Sequence, residues 1–159
     1  MTVDEVRTAT REGVAAAEQL SAHLGRLIER SRADFPLTAA AIDGWEDSRR
    51  EQHHAMLRMF EQLYDLANRR LIRGFMVLSS EDASGLSLRN MFRRAEALYA
   101  LPSADRWMRI GEARNLLVHD YPVTAERQAA NGNLAWNMID DLRSGAAAVI
   151  ARLRLENLL

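Results

Sequence analysis

The sequence predicts an all-α protein: an up-and-down bundle of four to five helices, formed as a single domain by residues 1–159. Apolar residues recur at steps of three and four along most of the chain, which is the helical period. Strand signals are absent, because no two-residue alternation persists and no Asn-Gly pair separates β-rich stretches. Eight glycines and three prolines in the chain are typical of an ordinary globular protein and not of a disordered or fibrous one.

The first two predicted helices are long. A narrow apolar stripe predicts a helix over about residues 3–31, which ends before Phe35-Pro36 because the residue preceding a proline avoids the α region. Asp43 is predicted to cap a second helix, with Glu46 completing a capping box. Small polar residues and glycine over 79–85 are expected to end it.

The second half of the chain predicts the remaining helices. A short third helix begins at Ser87, and Ser103 caps a fourth helix that reaches about His119. A final helical stretch begins at Thr124, with a break allowed at Asn131-Gly132-Asn133.

Composition limits the classes of function. The formal net charge is −1, so the whole molecule does not steer toward nucleic acid by its overall field. All 21 basic residues are arginine, whose planar guanidinium suits phosphate and carboxylate groups. There is no cysteine, which excludes a disulfide framework and a thiolate metal site.

The expected location is the cytoplasm. The acidic N-terminus lacks a basic flank followed by an apolar stretch, so it does not resemble a secretory signal. No window approaches the roughly 18 uninterrupted apolar residues of a membrane span, so no membrane association is expected.

The sequence contains no pattern that predicts a metal or cofactor site. His53 and His54 are adjacent, so on a helix their side chains point about 100° apart and cannot grip one metal as an i, i+4 pair does. The glycines are too isolated for a phosphate-binding loop, and no nucleophile elbow is present. We therefore expect no cofactor and no metal.

The fourth helix carries the one promising constellation. Arg114 falls on its apolar stripe, where a guanidinium must meet an anion, a carbonyl or a partner chain, since an unpaired buried charge is costly. Asn115 and His119 are four residues apart and share a face. Arg114 and His119 are five apart and diverge by about 140° on an ideal helix. Their convergence on one substrate requires either the helix to end near His119 or a second chain.

The pattern Arg-Asn-x-x-x-His-x-Tyr, formed by Arg114, Asn115, His119 and Tyr121, resembles the HEPN superfamily and within it the HepT-like branch. The resemblance covers roughly residues 40–145. It also includes Gly85-Leu86-Ser87-Leu88-Arg89, Arg94-Ala95-Glu96, Pro102-Ser103 with Trp107, Glu112-Ala113 before the motif, and Asp120 and Pro122 within and after it.

This resemblance implies a HEPN-like domain that acts as a metal-independent endoribonuclease, with RNA as substrate. In such proteins two chains form a homodimer, and both Arg-His motifs line a cleft between them. His119 would then perform acid–base catalysis, since an imidazole exchanges protons near neutral pH. Arg114 would stabilise charge on the pentavalent phosphorus, and Asn115 would orient the histidine or a phosphate oxygen.

The HepT-like branch also implies regulation within a toxin–antitoxin pair. A minimal nucleotidyltransferase is the expected partner, and it would attach AMP to Tyr121. The added bulk and negative charge would block the cleft.

Two alternatives remain beside this interpretation. In the first, the motif is structural: Arg114 pairs with an acidic residue of another helix, His119 caps the helix C-terminus, and Tyr121 is a core ring with a wet hydroxyl. In the second, the chain is a non-catalytic helical binding module that docks a nucleotidyltransferase or helps bind its substrate.

Overall fold

The computed structural model describes residues 1–119 and 122–159. All regular structure in these two ranges is helical, which confirms the all-α prediction. None of the helices in this part of the chain is both long and apolar enough to cross a membrane. The helices are α1 (Val3–Ser31), α2 (Ala39–Asp43), α3 (Asp47–Leu66), α4 (Arg73–Leu78), α5 (Leu88–Ala97), α6 (Ala104–His119) and α7 (Ala125–Leu155).

The first helix has the predicted bounds. Thr2 forms a capping box with Glu5, in which each side chain accepts the other's backbone N–H. After Ser31 the chain makes one 3₁₀ turn and becomes extended at Phe35, immediately before Pro36.

The predicted start of the second helix is wrong. Asp43 does not cap it but ends the short helix α2, which Thr38 caps through its own side chain. Gly44 closes α2, and α3 begins only at Asp47, after Glu46. A local threonine cap thus creates a separate short helix where the sequence pattern predicts the first turn of a long one.

From Asp47 to Leu78 the chain is one continuous helical rod, because a π-helical turn over Ala67–Ile72 joins α3 to α4. The rod ends at Ser79, as the polar segment predicts. Within the π turn, Asn68 accepts a 2.8 Å hydrogen bond from the indole N–H of Trp107 in α6. The locally wider turn is therefore tied to the neighbouring helix.

The break allowed within the last helix is not present, since α7 runs unbroken through Asn131-Gly132-Asn133. The amide of Asn133 points away from its own backbone and pairs with the main chain of Leu37, accepting at 2.7 Å and donating at 3.0 Å. Because the amide is occupied in this way, it does not compete for helical hydrogen bonds.

Helix pairs run antiparallel, as the bundle prediction requires. Thr10, near the start of α1, contacts Gly74 in α4, whereas Ser31 at the end of α1 accepts a hydrogen bond from Gln52 early in α3. Along α3 and α6 the order also reverses: Asp65 meets Arg114, and Asn68 in the following π turn meets Trp107.

The indole of Trp107 is 1% exposed and packs against α7 at Gly145. A Cβ at residue 145 would lie 2.5 Å from Cζ3 of this ring, which real contacts do not allow. The indole cannot retreat freely, because its N–H is bonded to Asn68. Glycine at this position therefore sets how closely α7 approaches α6.

We expect Gly145→Ala to lower stability by about 1–2 kcal/mol, since overpacking outweighs the gain in helix propensity. Urea unfolding monitored by circular dichroism measures the change. Gly25→Ala is the matched control, because its Cβ would meet only the mobile end of Arg143. The control should be neutral or more stable by up to about 1 kcal/mol; equal losses in both variants would contradict the packing argument.

Candidate functional site

The guanidinium of Arg114 faces α3. Its Nη2 donates to Oδ2 of Asp65 at 2.6 Å, and its Nη1 donates to the side-chain oxygen of Asn115 at 3.3 Å. The Arg114 side chain is 24% exposed. The expectation that this cation meets an anion is confirmed, and the anion is an acidic residue of another helix.

One face of the α3 rod carries the polar groups around Arg114. Glu61, Tyr64, Asp65 and Asn68 follow one another at helical spacing, so they line up toward α6. The Tyr64 hydroxyl lies against Gly111 of α6, where a Cβ would collide with it. The glycine allows this polar face to pack closely against α6.

The local electrostatics centre on Arg114 and two carboxylates. Burial raises the pKa of Glu61 above its ordinary value, the guanidinium of Arg114 lowers it, and the neighbouring charge of Asp65 raises it. Burial also raises the pKa of Tyr64, and its hydrogen bond with Asn68 partly opposes this. Tyr64 therefore remains a neutral phenol at physiological pH.

The last part of α6 is only partly packed into the bundle, with Leu117 half-buried against the core. No residue from 114 to 119 is buried, and both Asn115 and His119 are exposed. Leu116 is 41% exposed and Val118 is 45% exposed. This surface joins apolar and polar side chains at the helix end.

The structure does not bring the candidate catalytic residues of one chain together. Because α6 remains helical through His119, Arg114 and His119 project about 140° apart. The conceivable Asn115–His119 hydrogen bond is not formed among the described residues, and the Asn115 oxygen accepts from Arg114 instead. Tyr121, the proposed regulatory residue, lies outside the described residues.

The two adjacent histidines occupy different environments, as their spacing predicts. His53 is buried, stacks on Trp45 with ring centroids 4.3 Å apart, and lies 2.9 Å from Oδ2 of Asp34 through Nε2. Asp34 also pairs with Arg49. His54 is exposed. In the described ranges no group of three or more acidic or histidine side chains is arranged to hold a metal.

Sequence reasoning missed Asp65, which pairs with Arg114, and Glu61, which interacts with its charge. Their spacing of four residues on a predicted helix is a signal that both face the same way. Which helix face meets α6 depends on tertiary packing, so the sequence alone does not pair them with Arg114.

We expect Glu61→Gln to gain stability relative to the wild type as pH rises. A raised pKa means that the folded state binds the Glu61 proton more tightly than the unfolded state, so wild-type stability falls as this carboxyl ionises above its unfolded pKa. Glutamine cannot ionise. The difference in melting temperature, variant minus wild type, should increase between about pH 4 and pH 7.

Glu12→Gln, at an exposed position on α1, provides the control for that comparison. A pH trend of the same size in both variants would show that the effect does not come from the surroundings of Glu61.

No family model, curated protein or solved structure matches this chain.

Proposed function

We propose that this protein is a HepT-like component of a toxin–antitoxin pair that cleaves RNA without a metal ion. The observation that carries the proposal is the exposed end of α6, where Asn115 and His119 lie beside Leu116 and Val118. Polar groups suited to phosphate chemistry thus share a surface with apolar side chains suited to a protein contact.

A second copy of the chain supplies what one chain lacks. Within a single α6, Arg114 and His119 diverge, so one phosphate cannot meet both. Two α6 ends packed about a two-fold axis place the histidine of one subunit near the arginine of the other. Leu116, Val118 and the 86% exposed Val123 provide apolar area for that contact.

Asp65 orients the guanidinium of Arg114 without occupying all of its N–H donors. A guanidinium has five N–H donors, and Asp65 and Asn115 each accept from one of them. Holding the planar group in one orientation preorganises the remaining N–H donors on Nη1 and Nη2 for a phosphate oxygen, which is how fixed charge contributes most to catalysis. The ion pair reduces the net charge, so the arginine acts mainly by directed hydrogen bonding.

The proposed reaction transfers the phosphoryl group within the RNA. His119 of one subunit accepts the proton of the 2′-hydroxyl as that oxygen attacks the adjacent phosphorus. The bond to the 5′-oxygen breaks, and that oxygen receives a proton from water, while the imidazole returns its proton to the solvent. The products are a 2′,3′-cyclic phosphate and a free 5′-hydroxyl, and no redox or metal step is needed.

Regulation by a partner nucleotidyltransferase is part of the proposal. Transfer of AMP to the Tyr121 hydroxyl would add a phosphodiester charge between His119 and Val123, both of which are exposed. The transferred group would repel RNA and obstruct the two-fold contact.

A second candidate function is a non-catalytic module that docks a nucleotidyltransferase. The ion pair of Arg114 with Asp65 favours it, because the arginine charge already has a partner within the chain. The same apolar end of α6 would then bind the partner enzyme.

We expect His119→Ala and Arg114→Ala each to reduce cleavage of a single-stranded RNA by about 100-fold or more, since each removes a proton-transfer or charge-stabilising group. Gel analysis of 5′-labelled RNA with purified protein measures the loss. His23→Ala, at an exposed position on α1, should retain full activity. Absence of cleavage by the wild type would favour the docking module.

Mixing the two inactive variants tests the shared site. If arginine and histidine come from different subunits, half the subunits pair as heterodimers with one intact site each, and roughly a quarter of the wild-type activity should return. If both groups act within one chain, no heterodimer has an intact site. Failure to recover activity, with subunit exchange verified by mass spectrometry, would rule out the composite arrangement.

A further inference from the structure

A long groove runs between the first half of α1 and the rod formed by α3, the π turn and α4. Its volume is about 850 Å³. Val6, Ala9 and Thr10 line the wall that α1 forms. The wall formed by the rod includes Asp65, Arg69, Arg70, Arg73 and Val77. We call this the arginine groove.

The arginine groove concentrates positive charge in a molecule whose net charge is −1. Arg69, Arg70 and Arg73 are exposed and share it with a single carboxylate, Asp65. That carboxylate already accepts from Arg114 at 2.6 Å and is 3.8 Å from Arg69. Among the described residues, the side chains of Arg70 and Arg73 form no ion pair or hydrogen bond, so their guanidinium donors are available to an anion.

Close helix packing fixes the base of the Arg70 side chain. Gly13 of α1 lies so near Arg70 that a Cβ at residue 13 would be 2.6 Å from the arginine Cβ. One turn along the rod, Gly74 packs against Thr10. The base of the Arg70 side chain is therefore held by close packing, while all three exposed arginines line the groove.

The arrangement suits a chain of phosphates better than a single anion. Arg69 and Arg73 are about one turn apart along the rod, and the lining extends further to Val77. Val77 is 37% exposed and adds apolar surface beside the charges. A row of guanidinium groups with an apolar margin matches a single strand, which offers phosphates along one edge and ribose and base on the other.

One residue connects this groove to the candidate site. Asp65 lines the groove and also holds Arg114, so the two surfaces meet at its carboxylate. We infer that the arginine groove binds the phosphate backbone of single-stranded RNA next to the bond that is cleaved. This inference rests on the proposed function for its substrate, but its test requires no cleavage.

The test measures binding of a fluorescent 2′-O-methyl oligoribonucleotide, which lacks the attacking hydroxyl and cannot be cut. Fluorescence anisotropy over a salt titration compares the wild type with Arg70→Gln/Arg73→Gln. We expect the double variant to bind about tenfold more weakly near 50 mM salt. The slope of log K against log salt should fall in magnitude by about 1.4, the loss of two contacts with a single strand.

The matched control is Arg26→Gln/Arg30→Gln, which removes the same charge from exposed positions at the other end of α1, beside Glu29. It should leave affinity and slope close to those of the wild type. Equal weakening in both double variants, or none in the groove variant, would overturn the inference. So would displacement of the RNA by polyglutamate or by anionic phosphatidylglycerol vesicles as effectively as by unlabelled RNA.

Different results would contradict the groove assignment and the catalytic proposal. If the wild type cuts RNA and the His119 variant does not, while the groove variant binds normally, only the groove assignment is wrong. If the groove variant loses binding but the wild type never cleaves, RNA binding stands and the catalytic proposal is wrong.

Discussion

The contact between α3 and α6 determines where the candidate functional groups lie. Trp107 donates to Asn68 at one end of this contact, and Arg114 donates to Asp65 toward the other. Buried or half-buried polar groups are costly without partners, so these two directional bonds fix the rotation of α6 on α3. Because its rotation is fixed in this way, α6 stays packed in the bundle while most of its final turn is exposed to solvent.

The sequence predicts most of the architecture because helical periodicity and capping are local properties. Ser87, Ser103 and Thr124 begin their helices as predicted, since each side chain accepts a backbone N–H within its own first turn. One error, the break allowed in the last helix, lies where a distant contact overrides local preference. The side chain of Asn133 pairs with the main chain of Leu37, which is 96 residues away in the sequence, and α7 stays continuous. The sequence pattern around Asn133 does not reveal this partner.

The candidate site was predictable in its residue types but not in its geometry. Placing Arg114 on an apolar stripe correctly indicates that it needs an anion. The identity of that anion, Asp65, depends on which face of α3 meets α6. The divergence of Arg114 and His119 follows from helical geometry once α6 is seen to remain regular through residue 119.

The π turn affects the direction in which the side chains of α4 point relative to those of α3. It holds one more residue per turn than an α-helix, so the side chains beyond residue 72 are rotated relative to those before residue 66. If the same residues formed regular α geometry instead, α4 would be turned by about 100°. Phe75 and Met76 would then leave the core and Arg73 would leave the groove. The wider π turn therefore keeps the apolar core and the arginine row in register along a single helix.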